Sequence, residues 1–112
     1  IKAAQMQFLR QKTIAAVPKA DVVVTNPTHF AVAIRYNTQI APAPQVIAKG
    51  ADFMAFKIRE IAKNNNIPIV ENKPLARSLY KLVKVDHIIP PELYLAVAEV
   101  LAFVYNEKNR GI

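Results

Sequence analysis

The chain has 112 residues, 53% of them apolar, which suits one folded domain with its own core. It contains no cysteine, so disulfide bonds and thiolate chemistry are excluded. The formal net charge of +7 favours an anionic partner, but the positive residues are dispersed and no RNA-binding aromatic signature or helix-turn-helix pattern accompanies them, which disfavours nucleic acid.

The first third of the chain predicts one helix and two strands. Residues 2–17 are rich in helix formers, and Pro18 disfavours helical backbone in the residue before it, so we expect the helix to stop there. Residues 21–25 and 30–36 are rich in β-branched side chains, which is typical of strands. The three consecutive valines of the first strand show no alternation, which predicts burial on both faces of a sheet.

The middle of the chain alternates between predicted strands and a helix. Asn37–Pro44 is a proline-containing loop, and Val46–Lys49 is a short third strand that we expect Gly50 to end. Asp52–Asn64 has an apolar stripe of helical spacing, with an acidic residue suited to its N-terminal end. Ile67–Glu71 then reads as a fourth short strand.

Two further helices complete the pattern. One begins at the Asn72-Lys73-Pro74 sequence and continues to about Val83, because proline is tolerated in a first turn. The other begins at Pro90 and runs to about Asn106; it is apolar nearly all round, which predicts a buried helix or one that covers a partner. The sequence therefore predicts an α/β fold, with a small central sheet of about four strands surrounded by about four helices.

The Asn26-Pro27-Thr28-His29 sequence between the first two strands allows two interpretations. Asn-Pro is a common start of a tight turn, and a turn is the ordinary interpretation. The second is chemical. In the usual reaction of asparagine, the backbone N–H of the next residue attacks the side-chain carbonyl carbon, and Pro27 has no N–H. The side-chain amide of Asn26 can instead attack its own backbone carbonyl carbon. That reaction expels the Pro27 nitrogen and cuts the chain between Asn26 and Pro27.

Such a reaction needs help, since an amide nitrogen is a poor nucleophile. The turn must hold the amide close to the carbonyl, and flanking strands must retain backbone strain. His29 is the local candidate for moving protons, or else a hydrogen-bonded histidine that caps the turn. Thr28 is a candidate donor to the developing oxyanion, or a residue that holds the turn.

Other kinds of site are disfavoured. The two histidines, His29 and His87, are far apart in sequence, and without cysteine a zinc site is not predicted. Ser78 is the only serine and lies on a predicted helix without a glycine-rich elbow, so a serine hydrolase is not predicted either. We expect no metal and no cofactor.

Several segments together resemble a known family. "AAVPKADVVVTNPTHFAVAIRY", "APQVIAKGAD", "KIREIAKNNNIPIVENKPLARSLY" and "IPPELYLAVAEVLAFVY" are similar, in this order, to the self-cleaving cytoplasmic domain of the FlhB/YscU family of type III secretion export-switch proteins. The resemblance covers nearly the whole chain after about Lys12. "PLARSLY" and "VAEVLAFVY" are closer to the flagellar branch than to the injectisome branch.

The resemblance implies a function and a place. Residues 1–17 would be a linker helix from an upstream membrane domain, as a chain that begins with Ile1 instead of methionine also suggests, and residues 18–112 one cytoplasmic domain. The family cuts itself once between the residues that match Asn26 and Pro27, with Thr28 and His29 completing the motif. Cleavage lets the export apparatus at the cytoplasmic face of the bacterial inner membrane switch from rod and hook substrates to filament substrates.

A second site is predicted for export substrates. The loop residues Pro42, Ala43 and Pro44, together with Ala98 and Leu101 on the last helix, are hypothesised to form a shallow apolar groove. The alternative is that Ala98 and Leu101 belong to the core. Expected partners are rod and hook subunits, a hook-length control protein and other export-apparatus proteins. Two alternatives to a self-cleaving module stay open: a docking domain with an inert turn, and a basic nucleic-acid-binding domain.

Overall fold

Four strands form one mixed sheet in the computed structural model of this chain, which describes residues 10–110, with side chains described to residue 108. The strands are β1 (Val22–Asn26), β2 (Phe30–Arg35), β3 (Gln45–Ala51) and β4 (Ile69–Glu71). Their order across the sheet is β3-β2-β1-β4, with β1 antiparallel to β2, β2 antiparallel to β3, and β1 parallel to β4. β1 is therefore an inner strand.

Helices cover both faces of this sheet. They are α1 (residues 10–16), α2 (Phe53–Asn64), α3 (Lys73–Leu82) and α4 (Tyr94–Arg110), with short 3-10 turns at Val17–Lys19 and Pro91–Leu93. The predicted α/β class, with about four strands and about four helices, is confirmed. The part of the first predicted helix before residue 10 lies outside the described residues.

The core has two halves, one on each face of the sheet. Val22 and Val24 of β1 pack with α3 and α4, whereas Val23 packs on the opposite face with α2. All three valines are fully buried. The prediction from the unbroken valine run, burial on both faces, is thus confirmed, and β1 is held by apolar contacts on both sides as well as by two neighbouring strands.

The predicted end of the third strand at Gly50 is wrong, since β3 continues through Gly50 to Ala51. Glycine is required there by packing. A Cβ at this position would lie 2.6 Å from the Cβ of Met54 and 3.1 Å from Cδ1 of Ile58. The missing side chain lets the first turn of α2 pack closely against the strand, which a strand-breaking interpretation of glycine did not foresee.

The start of β4 differs from the prediction and the start of α3 agrees with it, each for a local reason. β4 begins at Ile69, two residues late, because the Ile67 N–H donates to the Ala62 carbonyl oxygen at the end of α2. The predicted start of α3 is confirmed: the Asn72 side chain accepts a hydrogen bond from the Leu75 N–H at 3.2 Å. Asn72 is therefore a side-chain N-cap.

α4 buries only one of its faces among the described residues. Val97, Val100 and Val104 are buried in the core, whereas Leu95 and Phe103 are 74% and 56% exposed. The nearly uniform apolar character of its sequence therefore reflects an inner face and an uncovered outer face. Within residues 10–110, no helix combines the length and apolar character needed to cross a membrane.

Candidate functional site

The Asn26-Pro27-Thr28-His29 segment is the tight connection between β1 and β2. Asn26 pairs with Phe30 at the end of the antiparallel ladder, and the His29 N–H donates a hydrogen bond to the Asn26 carbonyl oxygen at 2.7 Å. Asparagine at the first position and proline at the second are the residues that such a β-turn favours. The ordinary interpretation of the sequence, a turn, therefore describes its backbone correctly.

The same turn has features that suit attack by the Asn26 side-chain amide on the Asn26 backbone carbonyl carbon. The residue is half-buried, and within residues 10–110 its side-chain amide has no hydrogen-bond partner. The carbonyl oxygen of the Asn26–Pro27 peptide bond is the one that accepts from the His29 N–H. A fixed donor on that oxygen polarises the carbonyl and stabilises a negative charge that develops there.

His29 is held by the loop that follows β3. Its carbonyl oxygen accepts a hydrogen bond from the Asp52 N–H at 3.0 Å, and its Nδ1 lies 3.9 Å from the Asp52 Oδ1. Both side chains are largely exposed, His29 by 70% and Asp52 by 84%. At this distance no hydrogen bond joins the two side chains, and water weakens the electrostatic attraction between them.

Asp52 has an unusual backbone for its residue type. Its φ of 52° and ψ of −110° belong to a region that glycine prefers, and its side chain makes no capping hydrogen bond to α2. Asp52 is the N-cap residue of α2, so its predicted place at the N-terminal end of the helix is confirmed, and the helix itself begins one residue later than predicted, at Phe53. Strain was predicted in the turn itself, but the positive φ values of the described residues lie at Asp52, Asn66 and Asp86.

Thr28 is exposed, and its hydroxyl has no hydrogen-bond partner in the described part of the chain. The hydrogen bond that reaches the Asn26 carbonyl oxygen comes from the backbone of His29. The donor predicted for Thr28 is thus provided at this carbonyl by a main-chain N–H.

A cavity of about 370 Å³ opens beside the turn and brings together residues from β1, β2, α3, the turn itself and the connection between β3 and α2. Its lining is Asn26, His29, Phe30, Asp52, Arg77 and Lys81. The phenyl ring of Phe30 stacks on the Tyr80 ring with centroids 4.6 Å apart, which fixes α3 over the start of β2. Two cationic side chains and one carboxylate therefore line the cavity that Asn26 also lines.

Sequence reasoning missed Asp52, Arg77 and Lys81 as members of this site. Pairing of Phe30 with Ala51 is what places the residue after β3 beside the turn, and the sequence does not reveal that register. The i, i+4 spacing of Arg77 and Lys81 was a visible signal that both lie on one face of a helix.

The second predicted site is also assembled from separate parts of the chain. Pro42, Ala43, Pro44, Ala98 and Leu101 line one open groove of about 360 Å³, and Tyr36, Ile89 and Tyr94 complete its lining. Ala98 is exposed and Leu101 is half-buried, with part of its side chain against the core. The groove is apolar for most of its surface and lies away from the turn.

The remaining candidate residues form no further site. Ser78 is half-buried on α3, and His87 is exposed in the loop after it. Within residues 10–110, no group of three histidine, aspartate or glutamate side chains is arranged to hold a metal ion.

Comparison with known proteins gives one consistent family. The family model described as the FlhB HrpN YscU SpaS Family matches residues 1–104. The flagellar biosynthetic protein FlhB of Bacillus subtilis is 46% identical over 110 residues, which cover 98% of this chain and 31% of that protein. FlhB of Escherichia coli is 49% identical over 109 residues, 97% of this chain and 28% of that protein. The chain thus spans less than a third of these relatives.

Solved structures agree with the sequence matches. The cytoplasmic domain of FlhB from Shewanella putrefaciens superposes with a TM-score of 0.86 at 48% identity, covering 91% of this chain and 80% of that one. A mutated EscU C-terminal domain superposes with a TM-score of 0.79 at 34% identity, covering 82% and 92%. At these identities the similarity includes the sequence as well as the fold.

Proposed function

Because this chain belongs to the FlhB HrpN YscU SpaS family, we propose that it is a self-cleaving cytoplasmic domain of a flagellar type III export protein. The cut would fall between Asn26 and Pro27, once per chain and without a cofactor. One observation carries the proposal: the Asn26 side-chain amide has no partner among the described residues, and the carbonyl oxygen of the peptide bond that follows Asn26 accepts a hydrogen bond from the His29 N–H.

The chemistry needs only groups of this turn. The Asn26 Nδ2 attacks the Asn26 backbone carbonyl carbon and closes a five-membered ring, while the oxygen gains negative charge and is stabilised by the His29 N–H. The imidazole of His29 takes a proton from Nδ2 and returns one to the Pro27 nitrogen. The C–N bond then breaks, which leaves a succinimide at residue 26 and a secondary amine at Pro27.

The structure explains how a cut chain would stay folded. β1 ends at Asn26 and is hydrogen-bonded to β2 on one side and to β4 on the other. Its three valines are fully buried. Cleavage removes one covalent link at a turn but none of this packing, so the piece that ends at residue 26 stays in the sheet.

The wider role follows from the family. We propose that residues 1–17 connect an upstream membrane domain to this domain, residues 18–112, at the cytoplasmic face of the inner membrane. Cleavage would let the apparatus switch from rod and hook subunits to filament subunits. The partners would be these export substrates, a hook-length control protein and other export-apparatus proteins.

The groove lined by Pro42, Ala43, Pro44, Ala98 and Leu101 is proposed as the docking site for export substrates. Prolines fix the loop, so little backbone entropy is lost on binding, and the apolar lining suits short hydrophobic segments. The same groove supports the second candidate function, a docking domain in which the turn is inert, because it lies apart from Asn26.

Secretion assays with the full-length protein separate these functions. With Asn26→Ala, self-cleavage predicts that hook-class export persists while filament-class export fails; normal export of both classes would leave only docking. Leu101→Asp should reduce export of both classes, because a carboxylate in the groove opposes apolar binding. Leu95→Asp is the matched control, since Leu95 is exposed on the same helix outside the groove.

A further inference from the structure

We infer that Arg77 and Lys81 form a binding site for the carboxylate that appears at residue 26 after the chain is cut. The inference rests on the proposed cleavage and goes beyond it. It gives the cavity beside the turn a ligand that the intact chain does not contain, and it gives α3 a role in holding the two pieces together.

α3 places Arg77 and Lys81 in the same cavity as Asn26. α3 begins beside the end of β1, where the Asn72 N–H donates to the Thr25 carbonyl oxygen at 3.0 Å. Further along the helix, Tyr80 stacks on Phe30, the residue paired with Asn26. Arg77 and Lys81 lie between and beyond these contacts, one turn apart, and line the cavity that Asn26 also lines.

The charged side chains of this cavity do not balance one another. The ionisable side chains lining this cavity are Arg77 and Lys81 from α3, Asp52 from the loop after β3, and His29 from the turn. Asp52 faces His29, and neither Arg77 nor Lys81 has an ion-pair partner within the described part of the chain. With His29 neutral, the intact cavity has two cations and one anion, so one positive charge is left unbalanced.

Hydrolysis of the cleavage product creates a carboxylate at residue 26. Water adds to one carbonyl of the succinimide at residue 26, the imide C–N bond breaks, a C–O bond forms, and the new acid releases a proton. Opening at the backbone carbonyl gives a C-terminal asparagine with an α-carboxylate; opening at the other carbonyl gives the isomer with a side-chain-derived carboxylate. Either way one water is consumed and one negative charge appears at the position that Asn26 occupies in the cavity.

Guanidinium and ammonium groups are the usual partners of a carboxylate. Arginine binds both oxygens at once, and lysine adds a second charge from the next turn of the same helix. The new carboxylate therefore balances the excess positive charge and links the last residue of the first piece to α3. Cleavage exchanges a covalent link for an ionic one at the same end of β1.

The test compares the cut protein with variants at equal net charge. In moderate urea, the half-time for release of the 1–26 piece from a tagged 27–112 piece is measured for the wild type, for Arg77→Gln/Lys81→Gln, and for Lys73→Gln/Lys84→Gln. Both control lysines are exposed and lie outside the cavity lining. We expect release about fivefold faster in the first variant only, and a wild-type half-time that shortens with added salt.

An uncut background isolates the new carboxylate. With Asn26→Ala, where the carboxylate cannot form, Arg77→Gln/Lys81→Gln should leave the urea midpoint close to that of the control variant. Equal release rates for all cut proteins would overturn the inference while leaving cleavage intact, and so would an equal loss in the uncut background. Slower cutting with unchanged release would assign the two cations to the reaction instead. A chain that never cuts would overturn the proposed function and this inference together.

Discussion

The backbone N–H of His29 lies 2.7 Å from the carbonyl oxygen of Asn26 and donates a hydrogen bond to it. This donor belongs to the main chain, so it survives replacement of the His29 side chain. Two contributions of the same residue can therefore be separated: a fixed hydrogen bond to the carbonyl, and proton transfer by the imidazole.

We expect His29→Ala to slow cleavage without abolishing it. Loss of a general acid–base group reduces a rate by about 10²-fold or more, whereas the backbone donor stays in place. The cut fraction is followed by denaturing gel from the time of expression. Asn26→Ala, which removes the nucleophile, is the control that should never cut. Cleavage of His29→Ala at the wild-type rate would contradict a role for the imidazole.

Asp52 combines an unfavourable backbone conformation with a carboxylate that lies near the His29 imidazole. Its positive φ is strained for any residue except glycine, typically by about 1–3 kcal/mol. In the uncut Asn26→Ala background, Asp52→Gly should therefore raise the free energy of unfolding by about 1 kcal/mol, after the greater entropy of an unfolded glycine is subtracted. Urea unfolding measures this change.

The same substitution should slow cutting when Asn26 is present, because His29 loses the carboxylate 3.9 Å from its Nδ1. Asp52→Asn is the matched variant, since it keeps the shape of the side chain and removes the charge. Slower cutting in both variants would assign the effect to charge. A destabilised Asp52→Gly protein that cuts normally would show that the aspartate is retained for stability alone.

Lys49 predicts a pH dependence of stability. Its Nζ donates to the carbonyl oxygens of Tyr80 and Val83 at 2.8 and 2.9 Å, and burial lowers its pKa below the ordinary value of 10.5 because the charged form is desolvated. Between the lowered pKa of the folded state and 10.5, the unfolded chain binds more protons. The contribution of Lys49 to stability therefore rises with pH across that window.

Lys49→Met isolates this contribution. The substitution removes the hydrogen-bond donor of the Tyr80 and Val83 carbonyl oxygens at the end of α3. This loss should lower the free energy of unfolding by about 1–2 kcal/mol near neutral pH. The deficit relative to wild type should widen as the pH rises toward 10.5, as measured by urea unfolding at several pH values. A deficit that narrows over that range would contradict the lowered pKa.

Gly50→Ala tests the close packing of β3 against α2. An added Cβ would lie 2.6 Å from the Met54 Cβ, so strand or helix must shift, at a cost of about 1–3 kcal/mol. Thermal and urea unfolding measure the loss. Met54→Gly in the same background removes the nearest atom, so the double variant should be more stable than the sum of the two single losses predicts. If the losses of the two single variants simply add in the double variant, the strain of Gly50→Ala does not come from contact with Met54.

Much of the fold and part of the candidate site could be predicted from local sequence patterns. The unbroken valines of β1 predicted burial on both faces, and the Asn26-Pro27 pair predicted a turn and a candidate cleavage bond. What the sequence could not provide depends on how strands and helices meet. Asp52 reaches the turn only through the pairing of β2 with β3, and Arg77 and Lys81 reach it only because α3 packs over the start of β2.

At Gly50 the local sequence pattern gave a wrong prediction, because packing against the following helix decides its role. A glycine after a short run of β-formers suggests the end of a strand, yet here it continues the strand and admits a neighbouring helix. The groove residues Pro42 and Leu101 lie 59 positions apart in the chain and line one surface. Their grouping was predicted from an apolar, proline-containing loop and from a last helix with more apolar surface than one core face needs.

Self-cleavage through the Asn26 side chain is tested most directly by an intact mass under denaturing conditions. Fresh and aged samples are compared with Asn26→Ala. Self-cleavage predicts two species, residues 1–26 and 27–112, in the wild type and one uncut species in the variant. A first piece one water lighter than its hydrolysed form would identify the succinimide. A wild-type chain that keeps its full mass on ageing would contradict self-cleavage and leave the segment from Asn26 to His29 as a turn alone.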